Sequence, residues 1–406
     1  MSTTASRLPP ETGRTKHLFV TQDYPPDLGG MARRHVELCR RFSDENTVMR
    51  VSTVRSDHAS EFDAGEQYSI NRQPFYFAEA KLFTNQLRWA SWLLAPSQRD
   101  ISVFHCANIR PVGYAVGLAH LRRGTPYLVY VNGSDVLRER LGLHSPRKRL
   151  TARRIFANAR GIVGTSEWVA DITRDLLQQL RISEAPPIGS FDLGTDPDFF
   201  NPRKDTRRLR ATWGIADAPL LITVARLIPH KGQDIALAAL AALRTEFPTL
   251  RYAIVGVGPD ERRLRELSDE LKIADRVIFA GALTDEQIAE AYATATLYVG
   301  LSRVEDVIFA EGFGISFLEA AASGIPSVAG DSGGVRSAVR DGVSGIIVPP
   351  TDVRAVADAI RGLLNDANRR SILGAQGRAL VETYYNWDRV ARDTRAFTNE
   401  VLRSKA

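Results

Sequence analysis

Residues 220–243 read LLITVARLIPHKGQDIALAALAAL. The apolar, β-branched run from Leu220 to Ala225 has strand length, the loop after it carries Pro229 and Gly232, and from Asp234 the leucines and alanines continue as a helix. A strand, a short loop and an apolar helix in succession form one half of a βαβ crossover, the unit of a parallel sheet. The same alternation extends in both directions. Downstream it predicts strands at Tyr252–Val255, Val277–Ala280, Leu297–Gly300, Pro326–Ala329 and Gly345–Val348, and upstream at His17–Thr21, Val48–Val54, Ile101–Cys106, Tyr127–Val131 and Gly161–Gly164.

Between the two series lies PPIGSFDLGTDPDFFNP (186–202), followed by the charged RKDTRRLR (203–210), a composition that marks an interdomain connection. The expected fold class is therefore α/β, with two doubly wound Rossmann-like domains facing a central cleft along the carboxyl ends of their strands. The expected boundaries are a disordered tail at 1–15, a first domain at 16–200, a second at 201–385 and a C-terminal helix at 386–406. A length of 406 residues with 44% hydrophobic content is enough for two cores.

Bulk properties exclude several functions. The longest apolar stretches, such as Ile235–Leu243, fall short of the roughly 20 residues that cross a bilayer, so an integral membrane protein is not expected. The polar opening MSTTASRLPPETGRTKH lacks the apolar block of a signal peptide. Two cysteines, Cys39 and Cys106, without metal-ligand spacing to the seven histidines fit a reducing cytoplasm and no structural zinc. A net charge of +6 and a sequence pI near 9.4 suit an anionic partner. No RNP-like aromatic motif, zinc-finger spacing or basic region with heptads is present, which argues against nucleic acid.

Three stretches carry candidate chemistry. In TQDYPPDLGGMARRHVELCRRF (21–42), Gly29 and Gly30 open a helix where a phosphate could approach bare backbone N–H groups, or simply supply a tight turn. In the 220–243 stretch, Arg226 stands just past a strand and Lys231 five residues on. Two cations there suit a diphosphate leaving group, whose charge grows as a glycosidic bond breaks; a solvated loop is the equal alternative. In EDVIFAEGFGISFLEAAASGIPSVAG (305–330), Glu311 precedes a Gly-Phe-Gly turn and Glu319 lies in the following helix. This aims the amides of Phe313, Gly314 and Ile315 at the cleft and offers two carboxylates to sugar hydroxyls, Glu319 for a ribose diol and Glu311 for a transferred sugar. A helix acid placed only for the dipole is disfavoured, because the Ala-Ala-Ala and Gly-Ile-Pro context of Glu319 reads as buried packing.

With DYPPDLGG, NGSDV, TSEWV, GTDPDFF, VARLIPHKG, VGVGP, FAGAL, SRVEDVIFAEGFGISFLEA and GIPSVAGDSGG in this order, the sequence resembles the family-4 glycosyltransferases of GT-B fold over about residues 16–400. That family includes phosphatidylinositol mannosyltransferases and sucrose-phosphate synthases. The resemblance implies a retaining hexosyltransferase that needs no metal and no cofactor, taking a glucose- or mannose-type hexose from a UDP- or GDP-sugar co-substrate to a hydroxyl acceptor. That acceptor would be a sugar, polyol or lipid-linked glycan in cell-envelope glycolipid or polysaccharide synthesis. It implies an acceptor-binding first domain and a donor-binding second one, with the C-terminal helix crossing back to the first. Arg226 and Lys231 match the diphosphate pair, Glu311 and Glu319 the paired glutamates, and Gly30 the glycine near the distal phosphate. Gly256–Gly258 and Phe279–Leu283 match the walls that hold the base. Asn132 stands where many relatives carry a sugar-contacting histidine, and Arg336 and Ser337 stand where relatives often have Pro-Glu.

Residues 138–160 hold eight basic residues and one acid, Glu139, either a solvated helix face or a peripheral contact with anionic membrane. Trp89 and Trp92 read as core residues, with an extension of that basic surface or an acceptor groove as the alternatives. A sugar-nucleotide-binding subunit without activity is the competing function, and the four intact charged residues of the donor site weigh against it.

Overall fold

The computed structural model describes residues 13–26, 29–57, 59–75, 82–305 and 308–404. Residues 1–12 of the expected tail lie outside them, and Thr15 already belongs to the first strand. The chain divides into two compact units. One comprises Met1–Gly164, Thr173–Phe191 and Ala391–Ala406, the other Thr165–Ile172 and Asp192–Val390.

The first unit holds a seven-stranded parallel sheet of β1 (Thr15–Val20), β2 (Thr47–Val54), β3 (Ile70–Gln73), β4 (Ile101–Cys106), β5 (Tyr127–Val131), β6 (Gly161–Gly164) and β7 (Ile188–Ser190), ordered β3-β2-β1-β4-β5-β6-β7. The second holds β8 (Leu220–Val224), β9 (Arg251–Val255), β10 (Val277–Gly281), β11 (Leu297–Gly300), β12 (Ser327–Gly330) and β13 (Gly345–Val348), ordered β10-β9-β8-β11-β12-β13. Each order runs outward from its first strand, then reverses, so each sheet has a switch point: β1/β4 in the first unit and β8/β11 in the second.

Every expected strand is present within two residues of its predicted ends. Two strands were not expected, β3 (INRQ) and β7 (IGS), and they are the two edges of the first sheet. An edge strand is covered on fewer sides, so its sequence need not be a continuous apolar run. The central strands must be: β5 is buried at every position.

In the second unit, Leu237, Leu240 and Leu243 of the helix Gln233–Leu243 join Ile254, Val299, Val328 and Ile360 in one core. In the first, Trp89 is fully buried and its Nε1 donates to Ser52 Oγ at 2.9 Å, with Phe75 edge-on to its ring. It is a core residue. The C-terminal helix Trp387–Arg403 buries Trp387, Val390 and Val401, and Phe397 meets Phe191 with ring centroids 5.6 Å apart. Within the first unit, its Arg395 donates to the carbonyl of Phe42 at 3.1 Å. Both cysteines are buried free thiols. No helix among the described residues is long and apolar enough to cross a membrane.

Candidate active site

The second unit brings Lys231 and Glu311 together at the β8/β11 switch point. After β8, Arg226 is exposed, and Pro229–Lys231 make a single tight turn closed by Gly232. Gly232 has φ +75°, and a Cβ there would sit 2.1 Å from the carbonyl oxygen of Leu301 at the end of β11. No other residue lets the two loops approach this closely. As a result Lys231 Nζ donates to Glu311 Oε2 at 2.6 Å, joining the loop after β8 to the loop after β11.

Glu311 also accepts from Ser302 Oγ at 3.3 Å. Burial raises its carboxyl pKa, but the charge and hydrogen bond of Lys231 outweigh this and hold it below the ordinary glutamate range. Next to Lys231, the His230 ring stacks on Phe309 at 4.9 Å and 9° between planes. Burial first, and then the charge of Lys231, lowers its pKa to about 4, so it is neutral at pH 7.

The turn after Glu311 is shaped by glycines on both sides. Gly314 has φ +101° and caps the helix Ile315–Ala322, while Gly333 and Gly334 leave room for the carbonyls of Glu311 and Gly312. The Gly334 amide donates to Glu311 O at 2.7 Å and Ser166 Oγ donates to Gly312 O at 2.7 Å. The amides of Phe313, Gly314 and Ile315 have no acceptor among the described residues, as expected for the first turn of a helix. Phe313 itself is buried, so only its backbone can serve a ligand. One to two turns on, Glu319 accepts from Tyr292 Oη at 2.9 Å, the partner that its half-buried position requires.

A second pair of glycines frames Arg226. Gly256, at φ +130°, and Gly258 lie where a Cβ would meet the carbonyls of Ala225 and Leu227, 2.1 and 2.2 Å away. Leu227 N donates to Val257 O, and Gln233 Nε2 to Arg226 O, which fixes the backbone that carries the guanidinium. Leu283 is half-buried just before Thr284, which caps the helix Asp285–Thr294 with a reciprocal capping box.

Gly29, Gly30 and Asn132 belong to the first unit. Gly29, at φ +146°, precedes the helix Gly30–Phe42. That helix carries Arg34, whose Nη1 donates to Asn132 Oδ1 at 2.6 Å, so the first unit brings the glycine helix and the NGSD segment together. Asp135 Oδ1 accepts from Asn132 N and Val136 N. Of the two substituted positions, Arg336 forms a two-bond ion pair with Asp331 on the surface, and Ser337 hydrogen-bonds Asp192 and accepts through its carbonyl from Tyr385 Oη. Ser302, His230, Tyr292 and Arg34 were not singled out from sequence. Only tertiary contact shows their partners. Among the described residues no group of three or more His, Cys, Asp or Glu could hold a metal ion.

Two doubly wound parallel sheets are the architecture of the GT-B fold. Two family models match, "Glycosyltransferase Family 4" over residues 28–183 and "Glycosyl transferases group 1" over 205–380, and the chain belongs to this family. It is 29% identical over 379 residues to the GDP-mannose-dependent alpha-(1-6)-phosphatidylinositol monomannoside mannosyltransferase of Mycolicibacterium smegmatis, covering 91% of this chain and 94% of that one. It is 28% identical to the D-inositol 3-phosphate glycosyltransferase of Stackebrandtia nassauensis, covering 94% and 88%. In fold it is similar to sucrose-phosphate synthase of Thermosynechococcus elongatus (TM-score 0.78, 21% identity, 97% and 100% covered). It is also similar to Anabaena HepE in complex with UDP and glucose (TM-score 0.75, 18% identity, 95% and 100% covered).

Proposed function

We propose that this glycosyltransferase moves a mannose- or glucose-type hexose from a GDP- or UDP-sugar to a hydroxyl of a sugar, polyol or lipid-linked glycan. The transfer retains the anomeric configuration and serves cell-envelope glycolipid or polysaccharide synthesis at the cytoplasmic side. The observation that carries this reading is the pairing of Lys231 with Glu311 beside an exposed Arg226 at the β8/β11 switch point. A diphosphate there meets two cations and the free amides of a helix start, the groups that stabilise a growing negative charge. The anomeric C–O bond to phosphate breaks, the acceptor oxygen bonds to the same face, and its proton passes to the departing phosphate. Lys231 has three N–H donors, enough for Glu311 and a phosphate oxygen together. Glu311 then reaches the hexose, Glu319 the ribose diol, and Gly256 and Leu283 the base.

Because fixed cations occupy the role a metal would have, activity is expected to survive EDTA. A panel of GDP- and UDP-hexoses, followed by nucleoside diphosphate release and NMR of the product anomer, tests the whole reading. An inverted product, or loss on chelation restored by Mg²⁺, refutes the corresponding part. Absence of turnover with every donor, despite tight nucleoside diphosphate binding, favours an inactive binding subunit.

A further inference from the structure

The two ends of the segment Asp192–Val390, which makes up most of the second unit, meet beside the turn that carries Glu311. Thr195 N donates to Tyr385 O at 2.9 Å. Arg389 is buried, donates to the carbonyls of Asp192 and Tyr384, and places its guanidinium 4.2 Å from the centre of the Tyr384 ring. Tyr384 Oη donates to Asp192 Oδ2 at 3.2 Å. The backbone that carries Tyr385 is therefore held from both sides.

Tyr385 reaches from this lock to the turn by two routes. Its ring, 3% exposed, meets the Phe313 ring at 61° with centroids 6.3 Å apart. Its hydroxyl donates at 2.8 Å to the carbonyl of Ser337, in the short helix Val335–Ala338, and Ser337 also hydrogen-bonds Asp192. The same helix follows Gly334, whose amide donates to Glu311 O at 2.7 Å. One route thus ends on the Phe313 side chain and the other on the Glu311 backbone. Without them the turn would be pliable, because Phe313 stands between Gly312 and Gly314, and glycine is the residue that loses most conformational freedom on folding. An amide that serves a phosphate has to be fixed, since about 1 Å of misplacement costs on the order of 10²-fold in rate.

We propose that Tyr385 and Ser337 are positioning residues for the donor diphosphate, holding the amides of Phe313, Gly314 and Ile315 in place through Phe313 and Gly334. The inference rests on the donor reading above, and it concerns phosphate recognition, which a purely structural brace would leave alone. Titration calorimetry of the full chain with GDP and GMP, and with UDP and UMP, measures the preference for a diphosphate. The wild type should prefer the diphosphate by at least about tenfold. Tyr385→Phe keeps the ring and removes the hydroxyl, and it should cut that preference about fivefold while monophosphate affinity stays within about twofold. Ser337→Ala, which loses the bond to Asp192, should shift the preference the same way by less. Tyr127→Phe is the control: it removes a like bond, the 2.6 Å donation from buried Tyr127 Oη to Ile155 O in the first unit, and should lower the melting temperature with the preference unchanged. The inference is overturned, with the donor reading left standing, if folded Tyr385→Phe keeps the wild-type preference, if Ser337→Ala keeps it where Tyr385→Phe does not fold, or if Tyr127→Phe loses it equally. A wild-type chain that binds mono- and diphosphates alike overturns the donor reading itself, and the inference with it.

Discussion

The switch points of the two sheets handle a buried positive charge in opposite ways. In the second unit Lys231 keeps a fifth of its side chain in solvent and faces a carboxylate. In the first, Arg34 is 2% exposed, and its hydrogen-bond partner is the neutral amide of Asn132, with the Tyr130 ring 5.2 Å from its guanidinium. Burial pushes the Arg34 pKa down to about 10. An accessible, ion-paired cation can exchange one anion for another, whereas an enclosed one can only hold its neighbour in place. The contrast supports the proposal that ligand exchange belongs to the β8/β11 edge, with rigid positioning at the edge around β5.

The largest effect should come from Lys231→Ala. Loss of one donor to a developing charge costs about 2.7–4 kcal/mol, a fall of about 10²–10³ in kcat, beside a loss of urea-unfolding stability because Glu311 is left without its ion-pair partner. Near-native turnover in the folded variant would remove Lys231 from the site, and Arg226→Ala provides the same test at the exposed position.

Acid should act next, and on the first unit. His17 is buried, its Nδ1 3.0 Å from His105 Nε2, and burial lowers its pKa to about 4 despite the opposing charge of Asp44. Its folded value lies below the unfolded 6.5, so its contribution is complete above pH 6.5 and lost as pH falls toward 4, by about 3 kcal/mol. Equilibrium unfolding across that window should show the loss, and His17→Gln should reduce it. A pH-independent stability would contradict the assignment.

Arg34→Ala should cost about 2–3 kcal/mol of stability through the unpaired Asn132 oxygen and the vacated volume. Arg34→Met, which fills the space without a charge, should cost less. If Lys231→Met destabilises as much as Arg34→Ala, the two edges do not differ as described.

The smallest effect separates the glutamates by titration calorimetry of GDP and UDP. Glu319→Ala should weaken nucleoside diphosphate binding about tenfold, because a ribose contact is present in ground and transition states alike. Glu311→Ala should leave that affinity within about threefold, since its removal also frees Lys231, yet lower kcat. The reverse pattern exchanges the two roles.

The sequence by itself determined the class of fold, because central parallel strands are buried on both faces and must be written as short apolar runs such as β5 and β8. It also marked out Lys231 and Glu311, which the fold joins, since Gly232, Gly314 and the Gly333-Gly334 pair are demanded by backbone approaches that leave a readable motif. Tertiary structure alone decided the edge strands β3 and β7, whose partial exposure relaxes their pattern. It alone decided the partners of each charge as well. Lys231 and Glu311 are 80 residues apart, Arg34 and Asn132 are 98, and Glu319 meets Tyr292 across 27. Local propensity depends on neighbours in the chain, whereas an ion pair or a buried hydrogen bond depends on which strands the topology sets side by side.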